Sequence, residues 1–176
     1  MESRAKVLGH AAHQMLIVFP LGLLPVAVIF DIVAMFTKND FWYQLSFYMI
    51  LAGLIGGVAA AIPGLIDYLA IPSGTRAKRV GALHGVGNLI VIALFALSWW
   101  LRYTNENHVP GNLAVTAALL AVGLSLATAW LGGELVDRLG VGVDDGAHLD
   151  APSSLTNEPI QNAASNTQFS ETGKAS

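Results

Sequence analysis

Long apolar runs alternate with short polar stretches along this chain, and the pattern predicts four membrane-spanning helices. The runs cover residues 15–36, 45–69, 80–101 and 113–131. Each is long enough to cross a hydrocarbon core of about 30 Å, which takes about 20 helical residues. Backbone groups inside a bilayer have to be satisfied within their own segment, so the runs are expected to be α-helices. Short connections predict antiparallel neighbours, and hence an all-α, four-helix up-down transmembrane bundle over residues 1–143.

The remaining residues, 144–176, differ in character from the spans. They are rich in Ala, Pro, Ser, Asn, Thr and Gly and hold few bulky apolar side chains, which predicts a disordered tail. Basic residues collect on one side of the predicted bundle, at Arg4, Lys6, Arg76, Lys78, Arg79, Arg138 and Lys174. By the positive-inside rule both termini, and the tail with them, are expected to be cytoplasmic.

Composition agrees with a membrane protein and excludes several kinds of site. The chain is 54% hydrophobic and 12% charged, its mean hydropathy is +0.57 and its net charge is −3, so no nucleic-acid partner is expected. It has no cysteine, which removes disulfides, thiolate metal sites, iron–sulfur clusters and covalently attached c-type haem. Signatures of the common hydrolytic enzymes are also missing, so a redox subunit is favoured over an enzyme.

Three histidines stand where two spans begin. His10 and His13 lead into the first run, and His84 lies about one turn inside the third. In an up-down bundle these two starts are on the same, cytoplasmic side, so the imidazoles are expected to lie in one layer. Facing imidazoles in a membrane bundle suit a b-type haem, with His84 and His13 as axial ligands and His10 as the alternative to His13.

Neighbours of His84 fit the same interpretation. His84 and Asn88 are four residues apart and share a helix face with Gly81 and Gly85. The glycines would admit a flat macrocycle, and Asn88 would orient a ligand or a propionate. The predicted cofactor site therefore consists of these four residues together with His10 and His13. Haem b is the predicted cofactor.

Two other interpretations stay open. One is a non-haem metal site that combines His10, His13 and His84 with Asp67 or Glu134, since mixed imidazole and carboxylate ligands suit zinc, iron or copper. The other is a structural or accessory subunit without a cofactor, in which interfacial histidines bind water, carbonyls or lipid phosphate. The two carboxylates are more simply expected to form ion pairs with Arg76, Arg79 or Arg138.

One acidic residue lies well inside a span, on the side away from the histidines. Asp31 belongs to the first run, and Arg102 ends the third on the same side of the membrane. Charges at membrane depth are costly and are usually paired. The sequence therefore predicts a structural ion pair between Asp31 and Arg102.

Several stretches in order along the chain resemble one bacterial family. The stretch HAAHQMLIVFPLGLL at 10–24 is similar to the HPLHPMLxxFPxGL opening of the domain-of-unknown-function 2231 family, DUF2231. AAAIPGLIDYLAIP, RAKRVGALHGVGN and WLGGELVDRLGVGV are similar to its later motifs. Ala11 and Gln14 replace the prolines that follow the two histidines in that opening, which makes a ligand role for His13 less secure than one for His84.

The resemblance covers about residues 9–143 and implies a four-span protein of the bacterial inner membrane with no established activity. His10, His13, His84, Asn88 and Glu134 stand at matching motif positions. Together with the residue-level reasoning, this gives membrane lipid, a redox protein and further copies of the chain as candidate partners.

Overall fold

The computed structural model describes residues 1–156, and four long helical segments dominate it. A two-residue strand pair precedes them, and short helical turns follow two of them. The elements are β1 Lys6–Val7, β2 His10–Ala11, α1 Ala12–Leu16, α2 Val18–Thr37, α3 Phe41–Ala70, α4 Arg76–Tyr103, a 3₁₀ turn Glu106–His108, α5 Asn112–Gly133 and a π-helical turn Glu134–Arg138.

The first span is interrupted near its start. α1 and α2 follow each other as one apolar segment, Ala12–Thr37, and the helix is broken at Ile17. The break coincides with Pro20, which has no N–H to donate to the carbonyl of Leu16. The helix resumes when the N–H of Leu21 donates to the carbonyl of Ile17 at 3.1 Å. Pro25 and Pro63, by contrast, lie inside continuous helices.

Each long helix packs most extensively against its neighbour in sequence. α1 and α2 pack on α3, and α4 packs on α5; we call residues 12–70 the first hairpin and residues 76–133 the second hairpin. Glycines allow the close approach: a Cβ added at Gly53 would lie 2.6 Å from Leu24, and one at Gly57 would lie 2.5 Å from Ile92 of the second hairpin. Small residues therefore bring backbones together, as in other membrane bundles.

Apolar side chains cover the outside of the bundle as well as its core. The core includes Leu24, Ile50, Phe95 and Ala121, yet only 22–28% of the most apolar window of each span is buried. The four segments are long and apolar enough to cross a membrane. The outward-facing Leu, Ile and Val side chains thus belong against lipid tails.

The N-terminal arm, residues 1–11, and residues 139–156 close one end of the bundle together. Lys6 pairs with Asp144 and with Glu2, and the N–H of Gly142 donates to the carbonyl of Met1 at 2.9 Å. The sequence predicts a tail from residue 144, and its first part, residues 144–156, forms turns that contact the arm. The rest of that tail, residues 157–176, lies outside the described residues.

Candidate functional site: a histidine pair between the two hairpins

His13 is held by α3, the second helix of its own hairpin. Nδ1 of His13 lies 2.8 Å from the carbonyl oxygen of Ala60 in α3. One turn further on is Gly64, where an added Cβ would lie 2.7 Å from the same Nδ1. The missing side chain of Gly64 therefore provides the space in which the imidazole reaches the backbone.

His84 is held in the same way by the second hairpin. Its Nδ1 lies 2.9 Å from the carbonyl oxygen of Thr128 in α5, and a Cβ added at Gly132 would lie 3.1 Å from its Cε1. Its second nitrogen, Nε2, lies 3.1 Å from Nδ2 of Asn88. The Asn88 oxygen in turn accepts from the hydroxyl of Thr128 at 2.9 Å.

The hydrogen bonds determine which nitrogen of each neutral imidazole carries the proton. A carbonyl oxygen only accepts, so Nδ1 of each histidine carries the proton and donates. In the neutral imidazole, Nε2 then has the free lone pair. A hydrogen bond from the far ring nitrogen to a backbone carbonyl is the support that metal-binding histidines usually have.

The two imidazoles meet where the hairpins meet. Their ring centres are 6.3 Å apart, and the ring planes are nearly perpendicular at 85°. An imidazole nitrogen lies about 2.0–2.1 Å from a bound zinc ion and roughly 1 Å from its own ring centre, so two imidazoles on opposite sides of one ion have centres about 6 Å apart. The observed 6.3 Å separation is thus close to the one that two imidazoles on one ion would have.

The side chain of Asn88 occupies the position in which a metal ion would contact His84. Its amide donates to Nε2 of His84, the atom that would bind the metal. Nε2 of His13 has no protein partner among the hydrogen bonds of residues 1–156. The pair therefore offers one free ligand atom and one that Asn88 has to release.

Other predicted ligands lie apart from the pair. His10 is exposed, and its Nε2 lies 3.2 Å from the hydroxyl of Ser154. Glu134 pairs with Arg76, one of the ion pairs expected from the sequence. Over residues 1–156, no three His, Cys, Asp or Glu side chains are grouped so that they could hold a metal ion.

The expected arginine partner of Asp67 was wrong. Its carboxylate instead accepts from the Ser3 hydroxyl at 2.7 and 2.9 Å, from the backbone N–H of Arg4 at 2.6 Å and from that of Ala5 at 3.2 Å. Backbone amides satisfy a carboxylate as well as a guanidinium does. Asp67 thereby fastens the N-terminal arm to the end of α3.

The two glycines of the predicted macrocycle site differ in surroundings. Gly85 is exposed, and an added Cβ there would have no atom within 4 Å. Gly81 is buried against Tyr68, whose ring would lie 3.2 Å from an added Cβ. Open space next to His84 is thus found at Gly85, and the space beside Gly81 is filled by protein.

A second polar layer lies at the other end of the bundle. Both guanidinium NH groups of Arg102 donate to the carboxylate of Asp31 at 2.7 Å. The same groups donate to the hydroxyls of Ser46 at 3.2 Å and Ser98 at 3.1 Å. All four side chains are buried. Arg102 follows His84 by 18 residues of one helix, so the two layers are about 27 Å apart at the helical rise.

Sequence reasoning did not find the groups that hold the histidines. Ala60 and Thr128 act through backbone carbonyls, which every residue has. The available signal was a glycine four residues later in each case, at Gly64 and Gly132. A helix carbonyl also accepts the N–H four residues on, and a glycine there leaves the carbonyl open to a second donor from the side.

Fold and site together define a four-span membrane protein with one histidine pair between two helical hairpins. The model of a family described as a predicted membrane protein, DUF2231, matches residues 9–145. The chain belongs to this family, as its motifs indicated. No curated protein matches the chain, and neither does any solved structure.

Proposed function

We propose that this protein is a b-type haem-binding electron-transfer subunit of the bacterial inner membrane, with His13 and His84 as the axial ligands. The observation that carries the proposal is the pair of facing imidazoles, 6.3 Å apart and each supported at Nδ1 by a helix carbonyl. When bound, a haem supplies a one-electron carrier whose potential depends on its axial ligands and on the polarity around it.

The chain's own residues prepare both ligands. The carbonyls of Ala60 and Thr128 hold Nδ1 of each ring, so Nε2 is the nitrogen that would bind iron, and Gly85, next to His84 in sequence, has open space around it. Asn88 has to turn away from Nε2 of His84 before that nitrogen can bind iron. Basic residues flank this end of the bundle, which favours a site on the cytoplasmic side.

The reduced-minus-oxidised absorption spectrum of the purified protein tests the proposal. Wild-type protein is expected to give the sharp α-band of a six-coordinate haem b. His84→Ala and His13→Ala should abolish it, and His10→Ala should keep it, because His10 is exposed and its Nε2 lies against the Ser154 hydroxyl. His148→Ala is the matched control outside the bundle. A wild-type protein reconstituted with haem but without an α-band would refute the proposal, and bound metal without porphyrin would favour the non-haem alternative.

A second candidate function is that of an accessory subunit without a cofactor. It is favoured by one observation: both nitrogens of His84 already have protein partners, Thr128 and Asn88. In that case the layer only joins the hairpins. The double variant His13→Ala/His84→Ala would then lose folding stability in detergent, while wild-type protein would bind neither haem nor metal in stoichiometric amounts.

A further inference from the structure

The two hairpins carry their polar residues at matching positions. Adding 71 to the number of His13 gives His84, and adding 71 to Asp31 gives Arg102. In the second helix of each hairpin the offset is 68, which relates Ala60 to Thr128 and Gly64 to Gly132. Each histidine thus meets the equivalent carbonyl and the equivalent glycine of its own hairpin.

Buried apolar and small residues follow the same two offsets. Both members of each related pair are buried in the bundle: Leu24 and Phe95, Ala27 and Ser98, Ser46 and Ala114, Ile50 and Ala118, Gly53 and Ala121. The first helices of the two hairpins run in the same direction, so the equivalence corresponds to a pseudo-two-fold axis along the bundle, as in parallel-repeat membrane proteins.

Residues near such an axis meet their own equivalents. His13 contacts His84 at one end, and Asp31 contacts Arg102 at the other. Eighteen residues of the unbroken helix α4 separate His84 from Arg102, which is five full turns at 3.6 residues per turn, so the two lie on the same face of α4. His13 and Asp31 contact them there, and both pairs therefore lie along the seam between the hairpins.

We propose that Asp31 and Arg102 are the positioning residues for the histidine pair. Apolar faces in lipid distinguish poorly between registers, because a helix that slips exchanges one apolar contact for another. A slip of one turn would move His84 by about 5.4 Å relative to His13. The buried ion pair forbids that slip, since setting register is the best-attested role of buried polar pairs.

The pseudo-symmetry identifies the substitutions that would exchange the acid and the base of the Asp31–Arg102 pair between the two hairpins. The guanidinium of Arg102 also uses Ser46 and Ser98, and the equivalents of these serines are Ala114 and Ala27. Asp31→Arg/Arg102→Asp alone moves the guanidinium away from both hydroxyls. Adding Ala27→Ser, Ala114→Ser, Ser46→Ala and Ser98→Ala moves its hydroxyl partners with it.

Cross-linking in the cysteine-free chain tests this without any cofactor. His13→Cys/His84→Cys reports contact between the hairpins, and Phe30→Cys/Trp42→Cys, at two positions whose native rings have centres 5.4 Å apart, reports packing within the first hairpin. A short bifunctional thiol reagent that fluoresces on bridging two cysteines gives the rate for each pair. Asp31→Asn is expected to slow bridging of the 13/84 pair at least about tenfold and to leave the 30/42 pair within about twofold.

Rescue distinguishes positioning from general stability. The six-residue exchange is expected to restore 13/84 bridging to within about twofold of the original rate, and the two-residue exchange to restore it partly. The proposal is overturned if Asp31→Asn leaves 13/84 bridging unchanged, if it abolishes bridging of both pairs, or if the six-residue exchange restores neither.

The cofactor readout rests on the proposed function and is separate. In a chain with both histidines intact, Asp31→Asn should broaden or remove the haem α-band, and the six-residue exchange should restore it. If wild-type protein binds no haem, the proposed function fails, while the cross-linking result still decides the positioning role.

Discussion

Replacing Gly64 by alanine probes the support of His13 with a single methyl group. The new Cβ would lie 2.7 Å from Nδ1 of His13, closer than side-chain atoms approach. The ring has to move, and its hydrogen bond to the Ala60 carbonyl is lost or weakened. Gly85→Ala is the matched control, because the same methyl group there meets no atom within 4 Å.

The magnitude follows from the difference between the two variants. Both gain the same helix propensity, about 1 kcal/mol, so this contribution cancels. Overpacking costs about 1–3 kcal/mol, and a lost hydrogen bond about 0.5–1.5 kcal/mol. Gly64→Ala should therefore be less stable than Gly85→Ala by about 1.5–4.5 kcal/mol.

Unfolding by titration with a denaturing detergent, followed by tryptophan fluorescence, measures both variants under the same conditions. Haem titration reports the ligand role, and Gly64→Ala should bind haem more weakly than wild-type protein. Equal unfolding midpoints for the two variants would refute the reasoning, since they would mean that His13 does not need the space at Gly64.

Three further predictions concern residues around the histidine end. Asn88→Ala should cost about 1 kcal/mol of stability without a cofactor and should strengthen haem binding, because Nε2 of His84 is released; weaker binding in a haem titration would instead assign Asn88 to holding the ligand. Asp67→Ala should speed proteolysis of residues 1–11 at least about tenfold, because hydrogen bonds to a charged group are worth about 1.5–3 kcal/mol each; the exposed Asp137→Ala is the control. The hydrogen bond from Lys6 lowers the pKa of Glu2 below its usual value of 4.5, and the bonds to Asp144 and then to Glu2 raise the pKa of Lys6 above 10.5. The contribution of Glu2 is therefore complete above pH 4.5 and lost as the pH falls through its lowered pKa, and that of Lys6 is complete below pH 10.5 and lost as the pH rises through its raised pKa. A spin label at Leu8→Cys should gain mobility at both extremes of pH and not between them.

The spans were predictable from the sequence because a bilayer fixes the length of a spanning segment and requires its backbone to be helical. Apolar runs of about 20 residues report both directly, and the helices at Phe41–Ala70 and Arg76–Tyr103 extend the predicted runs by a few residues at their ends. The break at Ile17 coincides with Pro20, whereas Pro25 and Pro63 lie inside continuous helices, so a proline alone did not predict where a span is interrupted.

The groups that contact the histidines were harder to predict from the sequence. The layer of His13 and His84 was predictable from span direction, whereas its supports are carbonyls that carry no residue signature. The equivalence of the hairpins was hidden as well, because its two seam pairs differ chemically: one joins identical residues, and the other joins Asp31 with Arg102. A repeat is recognised in a sequence by similar residues at equivalent positions. An acid at the position equivalent to a base does not provide that similarity.

The ion pair has a consequence for how the chain enters the membrane. Asp31 precedes Arg102 by 71 residues, so at about 5–20 residues per second a ribosome completes Arg102 about 4–14 seconds after Asp31. During that interval the first hairpin has an acidic residue in a span without its partner, which is costly at membrane depth. The second hairpin then brings in the arginine. Insertion of this protein is therefore expected to end with a charge-pairing step, at which the two hairpins become a single unit.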